Sequence, residues 1–335
     1  MTAIPRDSGN SRVPSKPDVG LLGQDSGDQI QSLLDMLRPR HNWALHSRSL
    51  TLGERTLVMG ILNVTPDSFS DGGRFLQRDH AVAHALQMLD EGADILDIGG
   101  ESTRPGSKVL ETGLPAAEEL KRVLPVIEDV LGERPRTLIS IDTYKAEVAR
   151  AAVQAGAEIV NDVSALRWDP QMPATLAQLG CGVILMHTRG RPEEWGSQPP
   201  SPDIVAEVKS ELRQWSDAAV QAGIARERLV VDPGFGFGKR FDENYPLLAR
   251  FSELHQLGFP VLSGTSRKSF IGRTLRRNDK DAAPAQRLYG TLATVVASVM
   301  QGAHIVRVHD VRPAVEAVKV ADQVLLAANS ANQHE

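Results

Sequence analysis

The chain has 335 residues, of which 41% are hydrophobic and 24% charged, with a net charge of −5 and a pI near 6.0. This usage is typical of soluble globular proteins. It argues against a nucleic-acid-binding or anionic-membrane-binding surface, and no apolar stretch is long enough to cross a membrane. The single cysteine, Cys181, excludes an intrachain disulfide, so we expect a cytoplasmic protein in which this thiol is a small core residue.

The N-terminal region, residues 1–50, is predicted to be an extension that precedes the main domain. Residues 1–27 are rich in Ser, Pro, Gly and Asp, a composition typical of a flexible tail. Gln29 to Arg38 is compatible with a short helix, and the loose alternation from Trp43 to Leu52 predicts a hairpin against the base of the domain. We assign the remaining fold to one domain over residues 51–330.

From residue 57 onwards one unit repeats: an apolar strand, a polar loop and an amphipathic helix. The predicted strands are 57–63, 93–99, 137–142, 158–163, 182–187, 229–233, 260–264 and 304–309. The predicted helices between and after them are 80–91, 116–132, 145–155, 169–179, 203–222, 244–257, 285–301 and 312–327. Several of these helices stop just before a glycine, as a left-handed C-cap favours.

Strands that alternate with helices predict an α/β protein with a parallel sheet. The number of units and the chain length favour closure into a (β/α)8 TIM barrel. A doubly wound open sheet is the alternative. It would usually carry a glycine-rich phosphate turn after its first strand, whereas this chain continues from Asn63 as Val-Thr-Pro-Asp.

Polar side chains follow each predicted strand, and in a barrel these strand ends meet at the mouth where active sites lie. One group offers donors and acceptors that can read a flat polar heterocycle: Asp142, Asn161, Asp232 and Lys268. A second group suits a phosphate or pyrophosphate: Asn63, Thr103, Arg104, Arg267, Arg307 and His309. The mixture of acids, amides and bases is more than a structural rim needs, so we predict a ligand site.

An aromatic and small-residue group completes this mouth. Phe237 lies between glycines that would let the backbone approach a ring closely, and its own ring could stack on that ligand. The seventh strand runs into Gly264, Ser266 and Ser269.

Structural explanations compete for single residues. Asp142 could be the N-cap of the following helix, and Asp162 could cap a helix or turn. His187 lies in an apolar run and is more typical of a satisfied core or rim histidine. The sequence shows neither a zinc-binding spacing nor a cysteine pair.

Long motifs in order identify a family. They are GILNVTPDSFSDGG (60–73), GADILDIGGESTRPG (92–106), SIDTYKAEVA (140–149), NDVSA (161–165), MHTRG (186–190), DPGFGFGK (232–239), GTSRKSFIG (264–272) and RVHDV (307–311). From about residue 55 to 325 the chain resembles the dihydropteroate synthases, the pterin-binding enzymes of the folate pathway. Small departures occur, such as Thr188 where the family commonly has Met, and we expect no polar role for that position.

The resemblance implies a (β/α)8 barrel, usually a homodimer, and the substrates pterin diphosphate and 4-aminobenzoate. 6-Hydroxymethyl-7,8-dihydropterin diphosphate would condense with 4-aminobenzoate to give 7,8-dihydropteroate and pyrophosphate, with Mg²⁺ accompanying the diphosphate. By motif, Asn63 would bind Mg²⁺ and the diphosphate, and Thr103, next to Arg104, would contact the diphosphate from the second loop. The pterin would be held by Asp142, Asn161, Asp232 and Lys268.

The same carry-over places Phe237, Ser266 and Ser269 beside the aminobenzoate. Arg307 and His309 would bind the diphosphate, supported by Arg267. We expect Asp142 to stabilise a cation on the pterin methylene carbon, and the first two loops to close over the reaction. Two alternatives remain open: a methyltetrahydrofolate methyltransferase, which would have no diphosphate to bind, and a pterin-binding paralogue that no longer catalyses the condensation.

Overall fold

The computed structural model of the chain describes residues 38–65, 74–101 and 113–331. It opens with an antiparallel hairpin made of β1 (His41–Ala44) and β2 (Ser49–Leu52). This hairpin confirms the prediction for Trp43 to Leu52. The short helix predicted from Gln29 lies outside the described residues except for Arg38.

A closed parallel barrel follows the hairpin. Its strands are β3 (Leu57–Asn63), β4 (Ile95–Gly99), β5 (Ile139–Asp142), β6 (Ile159–Asp162), β7 (Gly182–Met186), β8 (Leu229–Asp232), β9 (Leu262–Ser263) and β10 (Ile305–Val308). Within the described residues these strands pair in the order β8-β7-β6-β5-β4-β3-β10-β9. A parallel bridge between Val231 and Val261 joins the two outer strands. The (β/α)8 barrel predicted from the sequence is therefore confirmed.

Helices surround the barrel. They are α1 (Arg74–Asp90), α2 (Ala116–Glu133), α3 (Ala146–Gln154), α4 (Met172–Leu179), α5 (Ile204–Gln221), α6 (Phe241–Ala249), α7 (Ser269–Thr274), α8 (Leu288–Met300) and α9 (Val311–Ala331). None of those in the described part of the chain is long and apolar enough to span a bilayer. The fold prediction missed α7, whose six residues are too few to show a periodic pattern.

One predicted helix, 244–257, is wrong in its extent. The α-helix α6 ends at Ala249, and a 3₁₀ helix covers Phe251–Leu257. The buried side chains of that second segment, Phe251, Leu254 and Leu257, are three residues apart. A 3₁₀ helix has three residues per turn and presents that spacing on one face, so packing favours it over a continued α-helix.

The glycine caps are confirmed with one exception. Gly92, Gly156, Gly180, Gly223, Gly258 and Gly302 all have positive φ angles. Gly132 does not act as a cap, because α2 continues to Glu133 and ends at Arg134, which has a negative φ of −137°. Gly132 has open space around it, so no close approach requires a glycine there.

The hairpin closes one end of the barrel. Trp43 and Leu45 are buried and join the cluster of inward-facing apolar residues that fills the lower barrel. The Trp43 indole donates to the Arg228 carbonyl at 2.8 Å. A Cβ on Gly182 would lie 2.6 Å from the Leu45 side chain, so the hairpin packs directly on β7. The opposite end of the barrel, formed by the carboxyl ends of the strands, is not covered by the hairpin.

A buried ion pair fixes this base to the last helix. The Arg38 guanidinium donates to the Asp322 carboxylate of α9 at 2.7 Å, although 284 positions separate the two residues. The same carboxylate accepts from the Thr56 amide at 2.9 Å and from its hydroxyl at 2.9 Å. The segment before β3 is thereby bound to the end of the chain.

Candidate active site

A cavity of about 340 Å³ opens at the carboxyl ends of the barrel strands. Its size falls within the range of small-molecule sites. Ten predicted site residues line it: Asn63, Asp142, Phe237, Gly264, Ser266, Arg267, Lys268, Ser269, Arg307 and His309. Asp232 borders it behind Gly264, where an added Cβ would lie 3.6 Å from the Asp232 carboxylate. Thr103 and Arg104 lie outside the described residues.

Two carboxylates share one guanidinium on the floor of this cavity. Arg307 donates through Nε to Asp97 and through Nη2 to Asp142, each at 2.6 Å. Asn161 reaches the floor indirectly, because its amide donates to the same Asp97 oxygen at 3.0 Å. Arg307 is thus oriented by Asp142, which the sequence analysis assigned to the heterocycle, and by Asp97, which it did not name.

Asp97 is a site residue that the sequence analysis missed. It is completely buried within β4, in the run Ile-Leu-Asp-Ile-Gly. A charged residue in the middle of a buried strand needs a partner, and this was the available signal. It is two residues before Gly99, so its side chain points to the inner face of the barrel. Because Asp97 lies within β4 and not at its end, a search of the strand ends did not find it.

The local electrostatics raise the pKa of Asp142 to about 7. Burial is the main cause, the positive charge of Arg307 opposes it, and the carboxylate of Asp97 adds to the increase. The direction follows from burial, which disfavours the charged carboxylate more than the single guanidinium of Arg307 favours it. Asp142 can therefore change its protonation state near neutral pH.

Asp142 is not a helix cap. The helix α3 begins after Lys145, whose side chain makes no capping bond, and the Ala146 amide donates to Asp169 at 2.8 Å. The capping interpretation is therefore wrong for Asp142. It is confirmed for Asp162, whose carboxylate accepts from the amides of Ser164 at 2.7 Å and Leu166 at 3.1 Å.

Asp232 and Lys268 also have pKa values shifted toward neutrality. Burial raises the pKa of Asp232 to about 6, although the Gly234 amide donates to it at 2.7 Å and Lys268 is nearby. Burial and the charge of Arg307 lower the pKa of Lys268 to about 7, while Asp232 and Asp142 oppose this. Displaced pKa values in a cleft are typical of functional sites.

Phe237 forms the aromatic part of the wall. The Lys268 ammonium lies over its ring, 3.7 Å from the centroid. The indole of Trp195, which also lines the cavity, meets the ring at 89° with the centroids 5.2 Å apart. The sequence analysis missed Trp195, because it lies in a 3₁₀ turn, Pro192–Ser197, well beyond the end of β7.

Thr188 has a polar role, contrary to our expectation for that position. Its hydroxyl accepts a hydrogen bond from Trp195 Nε1 at 3.1 Å and donates to the Gly190 carbonyl at 3.2 Å. Thr188 is completely buried. The Thr188 hydroxyl therefore fixes the plane of the Trp195 indole. This hydrogen bond depends on the fold and could not be inferred from the residue type at position 188.

The glycine loop that carries Phe237 is held from below by Lys239. Its ammonium donates to the carbonyls of Gly234 at 2.8 Å and Phe237 at 3.3 Å, and contacts His187 Nδ1 at 2.9 Å. His187 Nε2 contacts Glu211 at 3.0 Å, so the interpretation of His187 as a satisfied buried histidine is confirmed. Burial lowers the pKa of Lys239 to about 7.

The cationic side of the mouth is built around β10. His309 and Ser266 are joined through Nδ1 and Oγ at 3.1 Å. Arg267 has a φ of +57°, and its guanidinium makes two bonds to Asp310, at 2.9 and 2.5 Å. This fixed geometry places cationic and neutral donors beside Asn63, as an anion requires.

A neighbouring cavity of about 410 Å³ shares Asn63, Arg267 and His309 with the first. Glu91 and Asp310 also line it. Oxygen atoms from Asn63, Glu91 and Asp310 are the kind of donors that Mg²⁺ prefers. No group of three His, Cys, Asp or Glu side chains arranged for a metal occurs among residues 38–65, 74–101 and 113–331.

Comparisons with known proteins agree on one family. Residues 59–309 match the model of the family described as "Pterin binding enzyme". The dihydropteroate synthase of Escherichia coli K12 is 47% identical over 270 residues, covering 81% of this chain and 92% of the relative. That of Synechocystis is 45% identical over 295 residues, covering 88% and 98%.

Solved structures give the same result. The dihydropteroate synthase of Xanthomonas albilineans with 4-aminobenzoic acid has a TM-score of 0.77 and 47% identity, covering 85% of this chain and 98% of that one. The same enzyme in complex with 7,8-dihydropteroate has a TM-score of 0.74 and 44% identity, with 84% and 98% covered. A Yersinia pestis dihydropteroate synthase with a sulfonamide drug has a TM-score of 0.77 and 42% identity, with 85% and 99% covered.

Proposed function

The chain belongs to the family of pterin-binding enzymes, and we propose from its cavity how it acts as a dihydropteroate synthase. The reaction joins 6-hydroxymethyl-7,8-dihydropterin diphosphate to 4-aminobenzoate. A bond forms between the arylamine nitrogen and the pterin methylene carbon, and the bond from that carbon to the diphosphate oxygen breaks. The products are 7,8-dihydropteroate and pyrophosphate, and the amine loses one proton. The protein is thus a transferase of folate biosynthesis.

One observation carries this proposal: acids, an aromatic wall and an anion-binding edge line the same cavity. Asp142 and Lys268 face it beside Phe237, while Asn63 and His309 mark the edge shared with the neighbouring cavity. A pterin diphosphate has a flat polar ring at one end and an anion at the other. In the cavity, the acids and Phe237 match the ring, and the edge with Asn63 and His309 matches the anion.

The acidic floor suits the pterin ring. Asp142 and Asp232 would accept from the ring N–H groups, as carboxylates do from the edges of nucleobases. Lys268 would donate to the ring carbonyl, and Asn161 would act beside Asp97, to which it is bonded at 3.0 Å. Arg307 keeps the two acids of the floor in place through its paired hydrogen bonds.

The cationic edge suits the leaving diphosphate. His309 and Arg267 would donate to it, together with Thr103 and Arg104 of the second loop and a contribution from Arg307. Asn63 would hold Mg²⁺ jointly with diphosphate oxygens, and the ion supplies positive charge to the departing group when bound. A diphosphate stabilised in this way leaves more readily, since its negative charge grows as the bond breaks.

The floor also suits the charge that remains on the pterin. As the diphosphate departs, positive charge develops on the methylene carbon and spreads into the electron-rich ring. The Asp142 carboxylate, when ionised, stabilises that charge. The arylamine is neutral at pH 7 and attacks without a strong base, on the side bordered by Phe237, Ser266 and Ser269. Exclusion of water protects the cation from hydrolysis.

A homodimer is part of the proposal. The helices α8 and α9 pack against each other. They expose Tyr289 on α8 and, one turn apart on α9, Val320 and Val324, with 83%, 65% and 51% of their surfaces accessible. Exposed apolar side chains grouped on one face favour an interface, and a second copy of the chain is the occupant that the family resemblance suggests.

A direct assay tests this function. The purified protein would be incubated with the pterin diphosphate, 4-aminobenzoate and Mg²⁺, and pyrophosphate release and dihydropteroate formation would be measured together. We expect both products in equal amounts and neither without 4-aminobenzoate. Binding of the pterin without product would support a non-catalytic paralogue, and methyl transfer from methyltetrahydrofolate would support the methyltransferase alternative.

A further inference from the structure

The cavity wall includes an aromatic corner formed by Phe237, which the proposed function uses, and Trp195, which it does not. Trp195 and Phe237 both line the cavity, and their rings stand at 89° with centroids 5.2 Å apart. Two rings at a right angle offer a third flat ring one face for stacking and one edge for a T-shaped contact. The corner therefore suits an aryl substrate of limited width.

The Trp195 indole is fixed in this position. Its Nε1 donates to the buried Thr188 hydroxyl at 3.1 Å and lies 3.4 Å from the Gly190 carbonyl. The turn that carries it is closed by the Glu194 carboxylate, which accepts from the Arg191 amide at 2.6 Å, and by the Ser197 hydroxyl, which donates to the Glu194 carbonyl at 2.9 Å. An indole held at its nitrogen acts as a rigid boundary.

A positive charge also lies at the corner, and it suits a substrate that carries a carboxylate. The Lys268 ammonium lies 3.7 Å above the centroid of the Phe237 ring, so a cation faces the aromatic wall. An arylamine that carries a carboxylate combines a flat ring with a negative charge. The flat ring matches the corner, and the negative charge is attracted by the same Lys268 ammonium that would donate to the pterin carbonyl. The pterin N–H groups match the acids on the floor.

We propose that Trp195, oriented by Thr188, is a specificity-determining residue that sets the width of the arylamine accepted by this enzyme. This inference rests on the proposed function, since it assigns the arylamine to the corner of Trp195 and Phe237. Loss of the indole widens the corner, weakens the hold on 4-aminobenzoate and admits a broader fused ring.

The test compares four variants with the unmodified enzyme. Trp195→Ala removes the wall, Trp195→Phe keeps an aromatic ring without the N–H, and Thr188→Val removes the acceptor at nearly constant volume. Trp168→Phe is the matched control, because Trp168 is partly buried against Tyr144 and does not line the cavity. Pyrophosphate release is measured with 4-aminobenzoate and with 4-amino-1-naphthoate, which keeps the amine and carboxylate para to each other and is wider by one fused ring.

For Trp195→Ala we expect the KM for 4-aminobenzoate to rise up to about tenfold, the upper limit for one aromatic pair. The KM for the pterin diphosphate should stay within about twofold of its original value, a change of under 0.5 kcal/mol. The ratio of kcat/KM for 4-amino-1-naphthoate over 4-aminobenzoate should increase. Trp195→Phe and Thr188→Val should show smaller shifts of the same sign, and Trp168→Phe none.

The outcomes separate the two proposals. An unmodified enzyme that forms no dihydropteroate contradicts the proposed function itself. An active enzyme whose ratio between the two arylamines is unchanged in Trp195→Ala contradicts only the role of Trp195. If Trp195→Ala does not fold, the same comparison is made on Trp195→Phe and Thr188→Val. An equal change of both KM values in those variants would show a general loss of structure and would also contradict the inference.

Discussion

Asp97 and Arg307, 210 positions apart in the chain, form a 2.6 Å ion pair in which the carboxylate is completely buried. The pair crosses from β4 to β10, on opposite sides of the intervening β3. The same acid accepts from Asn161 at 3.0 Å. One buried carboxylate thus sets the position of two side chains that the proposed mechanism requires.

Asp97→Asn tests this dependence. An amide removes one of the two negative charges that face Arg307, while Asp142 remains paired with it. The loss of stability should therefore stay below the about 3–5 kcal/mol of a fully broken buried pair. We expect a lower Tm and a rise of at least about tenfold in the KM for the pterin diphosphate, equivalent to 1.4 kcal/mol of lost orientation. Glu316→Gln is the control, because its ion pair with Arg312 is exposed. A Tm and KM equal to those of the control would contradict the role of Asp97.

The pH profile tests Asp142 and Lys268 together. Asp142, whose pKa is raised to about 7, must lose its proton to stabilise a cation. Lys268, whose pKa is lowered to about 7, must keep its proton to donate to the pterin. The kcat/KM should therefore rise with pH on the acid side, fall on the alkaline side and peak near neutrality.

Asp142→Asn extends that test. The variant should lose the acid limb of the profile, and its kcat should fall by more than about tenfold, the low end for a lost charge-stabilising contact. Lys268→Arg should move the alkaline limb to higher pH, because a guanidinium keeps its charge there. Profiles that keep both limbs in place would show that other groups titrate.

Lys239→Met tests the support of the glycine loop. Its loss would remove the ammonium donor from the carbonyls of Gly234 and Phe237, each of which keeps a backbone N–H donor, at a cost of roughly 0.5–1.5 kcal/mol per hydrogen bond. We expect a lower Tm and a higher KM for 4-aminobenzoate, since the position of Phe237 depends on this loop. Lys209→Met is the matched control, because that lysine bonds to Gln256 at the surface. An unchanged KM for 4-aminobenzoate would show that Lys239 does not support the substrate site.

The base of the barrel should lose stability in acid. His304 is neutral in the fold, since its Nδ1 accepts from the Val261 amide at 3.0 Å and its Nε2 donates to the Pro39 carbonyl at 2.7 Å. Burial lowers its pKa to about 3, and the nearby His255, His41 and Arg38 add to this. Burial, His255 and Arg226 likewise lower the pKa of His41 to about 4.

The sign follows from these pKa values. Below about pH 6.5 the unfolded chain binds protons that the fold excludes, so the free energy of unfolding should decrease as the pH falls toward 3. Each histidine contributes at most about 1.4 kcal/mol per pH unit in this window. Buried acids such as Asp142 act in the opposite direction, so the measurement is the difference between wild type and His304→Gln. A difference that is independent of pH would contradict the assignment.

The dimer is tested on α9. Val320→Glu places a charge in the middle of the exposed apolar face and should convert a dimer into a monomer in analytical ultracentrifugation. Val220→Glu is the control, because this exposed valine lies on α5, outside that face. A monomeric wild type, or a dimer that survives Val320→Glu, would contradict the proposed interface.

The sequence predicted those parts of the structure that depend on the pattern of neighbouring residues. The buried strands, the amphipathic helices and the polar residues just after each strand follow from periodicity, so the barrel and most cavity residues were predictable. Asp97 and Trp195 were not. Asp97 acts from within a strand through a partner on β10, and Trp195 reaches the cavity from a turn well beyond the end of β7. Their roles depend on tertiary contacts that no spacing encodes.

The Arg38–Asp322 pair has a consequence for synthesis on the ribosome. β3 pairs with both β4 and β10, so the barrel has an unpaired edge until the last strand has been made. The Trp43 hairpin can be anchored fully only when α9 brings Asp322 to Arg38. A nascent chain stalled before residue 305 would therefore expose apolar strands, and it should depend on chaperones until the final helix leaves the exit tunnel.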